Sequence, residues 1–329
     1  MALLLDRTTI RELLTMEECI DLVEKAFAEL SGGTAVMPQR IAVAYPEQNG
    51  WYAFMPAQLK GMGALGIKAV TVYPQNPAKH NLPSTLATII LLDARTGQAV
   101  SVMDGGYLTA MRTGAVSGAA TRLLARRDAR VAGILGTGVQ ARAQLWAMAT
   151  VLKLEKALCH SLDAPEAQRA FATNMSKQLG IPVEVTGTAR RVVEESDVLA
   201  LATTAHDPIV EGRWLKPGTH INGVGSHRPD AREVDTETVV RARVVCDHTP
   251  ACMAEAGDLI IPMQEGAFSQ DRMHADLGDL VTGKKPGRQS DSEITFFKSV
   301  GLSIQDISVA HLVYQKARER GVGTQFAFM

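Results

Sequence analysis

Lysine and arginine are costly inside apolar segments, and this chain places one of each there. Lys68 lies within Leu65-Gly-Ile-Lys-Ala-Val70, which reads as a strand. An unpaired buried ammonium is unfavourable, so this side chain must snorkel, pair or face a cavity. Arg112 lies in Leu108-Thr-Ala-Met-Arg-Thr-Gly-Ala115, an otherwise small and apolar helical stretch. A guanidinium there suits two-point capture of a carboxylate or a phosphate. Arg40 and Thr85 are the further cationic and hydroxyl candidates of this region. On spacing alone, structural ion pairing accounts for these residues equally well. His227 stands in Gly225-Ser-His-Arg-Pro-Asp230, just after a strand-like segment. Its titration range suits a proton donor, although a loop histidine bonded to backbone has the same pattern. His80, in a Lys-His-Asn-Leu-Pro loop, reads similarly.

A second constellation runs from Arg130 to Gln144. Val131 to Leu135 is an apolar run of the length of a buried parallel strand. Gly136, Gly138 and Ala141 follow as G-x-G-x-x-A, and Ala143 to Leu152 reads as a helix. Strand, glycine turn and helix in this order imply a dinucleotide-binding loop. Gly136 makes the tight turn, Gly138 lets a pyrophosphate approach the backbone, and Ala141 lets the helix pack closely. The helix N-terminus offers amide donors and a positive dipole end to the phosphates. No zinc-protease spacing and no G-x-S-x-G elbow are present in the sequence.

These residues need elements to hold them. Thr15-Met-Glu-Glu18 is a capping box that starts a helix with Ile20, Val23, Phe27 and Leu30 on one face. Arg40 to Tyr45, Trp51 to Met55, Gly66 to Val72, Thr85 to Asp93 and Gln98 to Met103 read as strands, and Leu108 to Leu124 as a long helix. This first region is a mainly antiparallel α+β domain. From Arg130 on, strands at Ala157 to His160, Val183 to Val185, Val198 to Ala202, His220 to Val224 and Arg243 to Cys246 alternate with helices. That alternation implies a doubly wound parallel sheet of Rossmann type, and so an α/β fold. The expected division is a first domain over 1–120, a nucleotide domain over 121–304, and a C-terminal helix in 305–329 that returns to the first domain.

Composition narrows the function classes. A length of 329 residues suits two domains. The formal net charge of −1 gives no field directed at nucleic acid or a membrane surface. Four cysteines, Cys19, Cys159, Cys246 and Cys252, form no C-x-x-C pair and read as free thiols of a reducing, cytoplasmic compartment. Leu3 to Leu5 is cut short by Asp6 and Arg7, so no signal peptide is expected, and no apolar run approaches a membrane span.

Taken together, Gly66-Ile-Lys68, Pro83-Ser-Thr-Leu86, Leu108 to Ala115, Gly136 to Ala141, His220-Ile-Asn-Gly-Val-Gly-Ser226 and Phe297-Lys-Ser-Val-Gly301 resemble the ornithine cyclodeaminase/mu-crystallin family. The resemblance covers essentially the whole chain. It implies an NAD(P)-dependent enzyme acting on amino or cyclic imino acids, a homodimer joined through its N-terminal domain. It implies that Arg40, Lys68 and Arg112 hold a substrate carboxylate, and that Ser299 and Val300 close over nicotinamide and substrate, Val300 on the substrate side. Thr85, Arg112, Gly136, Gly138, Val139, Gln140, Ser161, Thr203, Val224 and Ser299 become the cofactor-contacting set. No metal is expected.

Two departures bear on the reaction. Cyclodeaminases carry an aspartate in the loop that here holds His227, which favours the reductase branch. At the end of the second nucleotide strand the chain reads His160-Ser-Leu-Asp163. Ser161 lacks the charge that repels a 2′-phosphate, no arginine stands beside it, and Asp163 could swing in. The expectation is therefore NADPH or NADH, inclining to NADPH. The expected reaction is reduction of a cyclic imino acid, pyrroline-2-carboxylate or piperideine-2-carboxylate, to L-proline or L-pipecolate. Lys68 is the first candidate proton donor and His227 the second. The rivals are an ornithine cyclodeaminase, an alanine-type dehydrogenase, and a crystallin-like ligand-binding protein without turnover.

Overall fold

A computed structural model describes residues 1–328 and divides them into two compact units. One comprises Met1–Arg112 with the residues from Leu302 onward, and the other Thr113–Gly301.

The first unit is built on an eight-stranded, mainly antiparallel sheet. Its order is Thr324–Phe326, Ala2–Leu5, Ala99–Asp104, Thr85–Leu92, Ala64–Val72, Gly50–Leu59 and Ala35–Val36, with Ile41–Tyr45 also paired to Gly50–Leu59. The helix Met16–Ser31 begins at the expected capping box. The Thr15 hydroxyl accepts from the Glu18 amide at 3.3 Å, and the Glu18 carboxylate accepts from the Thr15 amide at 3.2 Å. It buries Cys19, Ile20, Val23, Ala26 and Phe27.

Register decides which side chains share a face of this sheet. Met55, Lys68 and Ile89 lie directly opposite one another on neighbouring strands, and Ala53, Val70 and Ala87 form the next row of the same face. The helix Ser303–Arg320 packs on this face. A Cβ at Gly66 would stand 2.5 Å from the Ile90 carbonyl oxygen of the neighbouring strand, with Ile307 of this helix at 3.1 Å, so the position has no room for a side chain. The other face carries Ile41 opposite Phe54, and Val43 opposite Tyr52. It remains open, with Ile41 66% and Phe54 43% exposed.

The second unit is an α/β domain around eight parallel strands. They run in the order Val183–Val185, Lys156–His160, Val131–Leu135, Val198–Leu201, His220–Gly223, Ile294–Lys298, Ala242–Cys246 and Ala275–Asp276. Chain order reverses between Val131–Leu135 and Val198–Leu201. Such a switch point leaves a crevice at the carboxyl ends of the two strands, where ligands of doubly wound sheets bind.

The division falls earlier than the expected 120/121 and 304/305. The helix Gly105–Leu124 belongs to both units. Arg112 bonds to Asp306 and Gln305 within the first, whereas the Thr113 carbonyl accepts from Gln144 within the second. At the other boundary the Val300 and Gly301 amides are held by Asp247, while the Ser303 hydroxyl donates to the Pro56 carbonyl. The last helix starts at Ser303, two residues before the expected 305. Its first eight residues are all buried, polar ones included, so no amphipathic pattern announces them.

Candidate active site

In the first unit the cations gather around one carboxylate. Lys68 Nζ donates to Asp306 Oδ2 at 2.6 Å, and Arg112 Nε donates to Asp306 Oδ1 at 2.8 Å. Arg112 Nη1 donates to Gln305 Oε1 at 2.5 Å. Lys68, Gln305 and Asp306 are buried, and Arg112 is nearly so. Arg40, half-buried ahead of Ile41–Tyr45, is close enough for its charge to act on Lys68. Burial pushes the Lys68 ammonium down; Asp306 opposes this, Arg112 and Arg40 reinforce it, and the balance falls at about 8. Such a group holds its proton at neutral pH yet releases it readily. Beside Lys68, Ala53, Met55 and Val70 form an apolar cluster to which Trp51 and Ala87 are added. Thr85 lies farther along the sheet, exposed, opposite Val72.

In the second unit the predicted phosphate loop follows the buried strand Val131–Leu135. Gly136 has φ +101°, and a Cβ there would stand 2.5 Å from the Ala202 carbonyl oxygen. Gly138, by contrast, faces open space. It caps the helix Val139–Val151 without a side-chain hydrogen bond, so the first helical amides are left for a ligand. Val139 is exposed, and Gln140 has a buried amide oxygen without a partner. At the end of the next strand, Thr137 and Ser161 both donate to Asp163 Oδ2, the latter at 3.0 Å. Gln168 fixes this loop by donating to the Ser161 and Asp163 carbonyls at 3.0 and 2.8 Å. Open space at Gly138, uncapped amides and a carboxylate on the neighbouring strand suit the pyrophosphate and adenosine ribose of a nicotinamide dinucleotide.

Buried acids hold the remaining loops. Glu233 accepts from the Thr203 amide and hydroxyl, each at 2.8 Å, and from the Gly225 amide at 2.8 Å. Val224 therefore lies on an anchored turn. Lys298 donates to Asp258 at 2.7 Å and to the Ser226 carbonyl at 2.6 Å. Burial works against the Lys298 charge, but Asp258 and Glu233 outweigh it and raise its pKa. Asp247 Oδ2 accepts from the Ser299 hydroxyl at 2.7 Å and from the Val300 and Gly301 amides at 2.9 Å. The His227 Nδ1 lies 3.2 Å from the Gly225 carbonyl oxygen. A carbonyl can only accept, so Nδ1 carries the proton, and in the neutral ring Nε2 is an acceptor. Among the described residues, no group of three or more His, Cys, Asp or Glu could hold a metal ion, and no helix is long and apolar enough to cross a membrane.

The sequence reading missed Asp306, Gln305, Asp247, Glu233 and Asp258. One signal was available for Asp306: a lysine buried in a sheet demands a carboxylate partner. For Asp247 it was an acid directly after an apolar strand.

A family model for the ornithine cyclodeaminase/mu-crystallin family matches residues 2–321. The chain belongs to this family. Within it, the chain is 38% identical over 319 residues to a Delta(1)-pyrroline-2-carboxylate reductase of Bacillus cereus, covering 97% of each chain. Its fold is similar to that of the Thermococcus litoralis Delta(1)-pyrroline-2-carboxylate reductase in complex with NADH and L-proline. There the TM-score is 0.95 at 47% identity, over 98% of this chain and 100% of the other. An archaeal alanine dehydrogenase dimer with bound NAD superimposes with a TM-score of 0.94 at 34% identity, over 100% and 99% of the two chains.

Two glycine substitutions separate fold from ligand at the phosphate loop. Gly138→Val is expected to leave the melting temperature unchanged and to weaken NADH binding at least about tenfold. Gly136→Ala is expected to destabilise the protein by more than about 1 kcal/mol, because both φ and space are wrong for a side chain. Fluorescence titration and denaturant unfolding measure these. Unaltered affinity in a folded Gly138→Val would remove the pyrophosphate from this loop.

Proposed function

We propose that this protein is a reductase of cyclic 2-imino acids that converts Δ1-pyrroline-2-carboxylate to L-proline with NADH. The observation that carries the reading is the cation cluster of the first unit, set beside a row of uncharged side chains. Arg40 and Arg112 would hold the substrate carboxylate, and the ring would lie on Met55, Ala53, Val70 and Ala87. An ornithine side-chain ammonium, or a second carboxylate, would find no counter-charge along that row. The names of the similar reductases support the same substrate class. When bound, the reduced dinucleotide supplies the hydride to the C=N carbon. Lys68 supplies the proton to the ring nitrogen, so the imine gains a hydride and a proton, and Lys68 is left neutral until water reprotonates it.

The finer cofactor choice follows from Asp163. Its carboxylate, fixed by Thr137 and Ser161 at the end of the second nucleotide strand, would accept from ribose hydroxyls and repel a 2′-phosphate. This favours NADH over the NADPH to which the sequence alone inclines. The exposed face bearing Ile41, Val43, Phe54 and Leu86 suits pairing with a second copy of the chain. The alanine dehydrogenase dimer supports that assembly. Four buried, unpaired thiols suit a reducing cytoplasm.

A substrate panel and three further measurements check these readings. A panel of imino and amino acids against both dinucleotides is expected to give fastest turnover with Δ1-pyrroline-2-carboxylate and NADH, and no ammonia from ornithine. Because the reducing direction uses protonated Lys68, kcat/KM for imine reduction should fall as pH rises through about 8, whereas L-proline oxidation should rise to a plateau there. Reduction that stays level to pH 10 would count against Lys68 as the donor. Second, Asp163→Ser should narrow the preference for NADH over NADPH by about tenfold, read as the ratio of dissociation constants. An unchanged ratio would place the choice elsewhere. Third, Phe54→Glu should shift the mass in sedimentation from dimer to monomer, since it buries a charge in the proposed contact; a dimer that survives would relocate the interface.

A further inference from the structure

We infer that Asp306 is a positioning residue for the reduction: it keeps Lys68 charged inside the protein and aims Arg112 at the substrate carboxylate. The inference rests on the reading of Lys68 as proton donor, and its geometric part stands by itself. The two carboxylate oxygens are divided between the two cations, Oδ2 taking Lys68 Nζ at 2.6 Å and Oδ1 taking Arg112 Nε at 2.8 Å. Gln305, one residue earlier on the same helix, takes Nη1 of the guanidinium. With Nε and Nη1 each giving a hydrogen bond to this helix, the fork of Arg112 is fixed in rotation, and its remaining N–H groups are the ones that would meet a ligand.

Charge points the same way. Among the described residues, the charged groups acting on Lys68 are Asp306 from the Ser303–Arg320 helix, Arg112 from the Gly105–Leu124 helix, and Arg40 from the segment before Ile41–Tyr45. Its cross-strand neighbours, Met55 and Ile89, are uncharged. Burial, Arg112 and Arg40 all disfavour the ammonium, and Asp306 is what opposes them. Without that carboxylate the Lys68 ammonium would give up its proton at lower pH and serve less well as the acid. With it, the cluster still carries an excess of positive charge, which a substrate carboxylate would complete.

The test is the titration of Lys68 itself, followed by the 13Cε shift of labelled lysine and assigned by its loss in Lys68→Arg. In Asp306→Asn this titration should move to lower pH by about one to three pH units, because an opposite charge in contact is removed. The alkaline limb of kcat/KM for imine reduction should move with it, and Asp306→Glu should restore both most of the way. The substrate's own titration is identical in all variants, so a displaced limb belongs to the protein. Should Asp306→Asn fail to fold, Arg112→Gln carries the test. It keeps the carboxylate and removes a competing cation, so Lys68 should titrate above the wild type. A Lys68 titration unmoved in Asp306→Asn, or unmoved in Arg112→Gln, overturns the inference. A Lys68 resonance that moves while the rate limb stays sustains the hold of Asp306 on Lys68 and overturns its part in catalysis.

Discussion

A carboxylate shared by two buried cations is the constraint on which the first unit depends. Asp306 is fully buried, and so, nearly, are Lys68 and Arg112. Taking such charges out of water costs several kcal/mol each, and removing one partner from a buried pair costs about 3–5 kcal/mol. The arrangement is therefore tolerable only when all three are present together. Asp306 lies near position 300 of the chain, Lys68 and Arg112 far before it in sequence. The C-terminal helix must therefore return to the sheet of the first unit. Breaking the cluster would loosen both the site and the seam that joins the two ends of the chain.

Acids carry the positioning in the second unit as well, in another way. Asp247, Glu233 and Asp258 sit near the carboxyl ends of parallel strands and collect hydrogen bonds from loop amides and hydroxyls. Each binds a turn that would otherwise leave backbone donors unsatisfied. The burial of Glu233 pushes its pKa up, while the charge of Lys298 draws it back down. The loops that would face a dinucleotide are thus set before a ligand arrives, which reduces the ordering that binding must impose.

Much of this was legible in the sequence, for identifiable reasons. Gly136-Thr-Gly138 between an apolar strand and a helix has few other uses, and Thr15-Met-Glu-Glu18 capped its helix where the spacing placed it. Lys68 stood out because its neighbours are apolar. What stayed hidden depends on contacts far apart in sequence. Asp306 is 238 residues from Lys68, and it sits in a helical turn buried on every side, where no 3.6-residue period survives. Ser299 was read toward a ligand, whereas its hydroxyl is given to Asp247. The strand Ile294–Lys298 was passed over because Lys298 and Ser299 interrupt its apolar run, and the structure pairs that lysine with Asp258. Asp163 was weighed without its anchoring, since nothing in sequence reveals that Thr137 and Ser161 fix its carboxylate.

The proposed reaction is hydride transfer to the C=N carbon of a cyclic 2-imino acid. It is tested most directly with NADH carrying two deuterium atoms at nicotinamide C4 and Δ1-pyrroline-2-carboxylate, followed by mass spectrometry and NMR of the product. The expected product is L-proline carrying one deuterium at Cα, in equal amount to the dinucleotide oxidised. Dinucleotide oxidation without deuterated proline, or no oxidation at all by the folded protein, would contradict it.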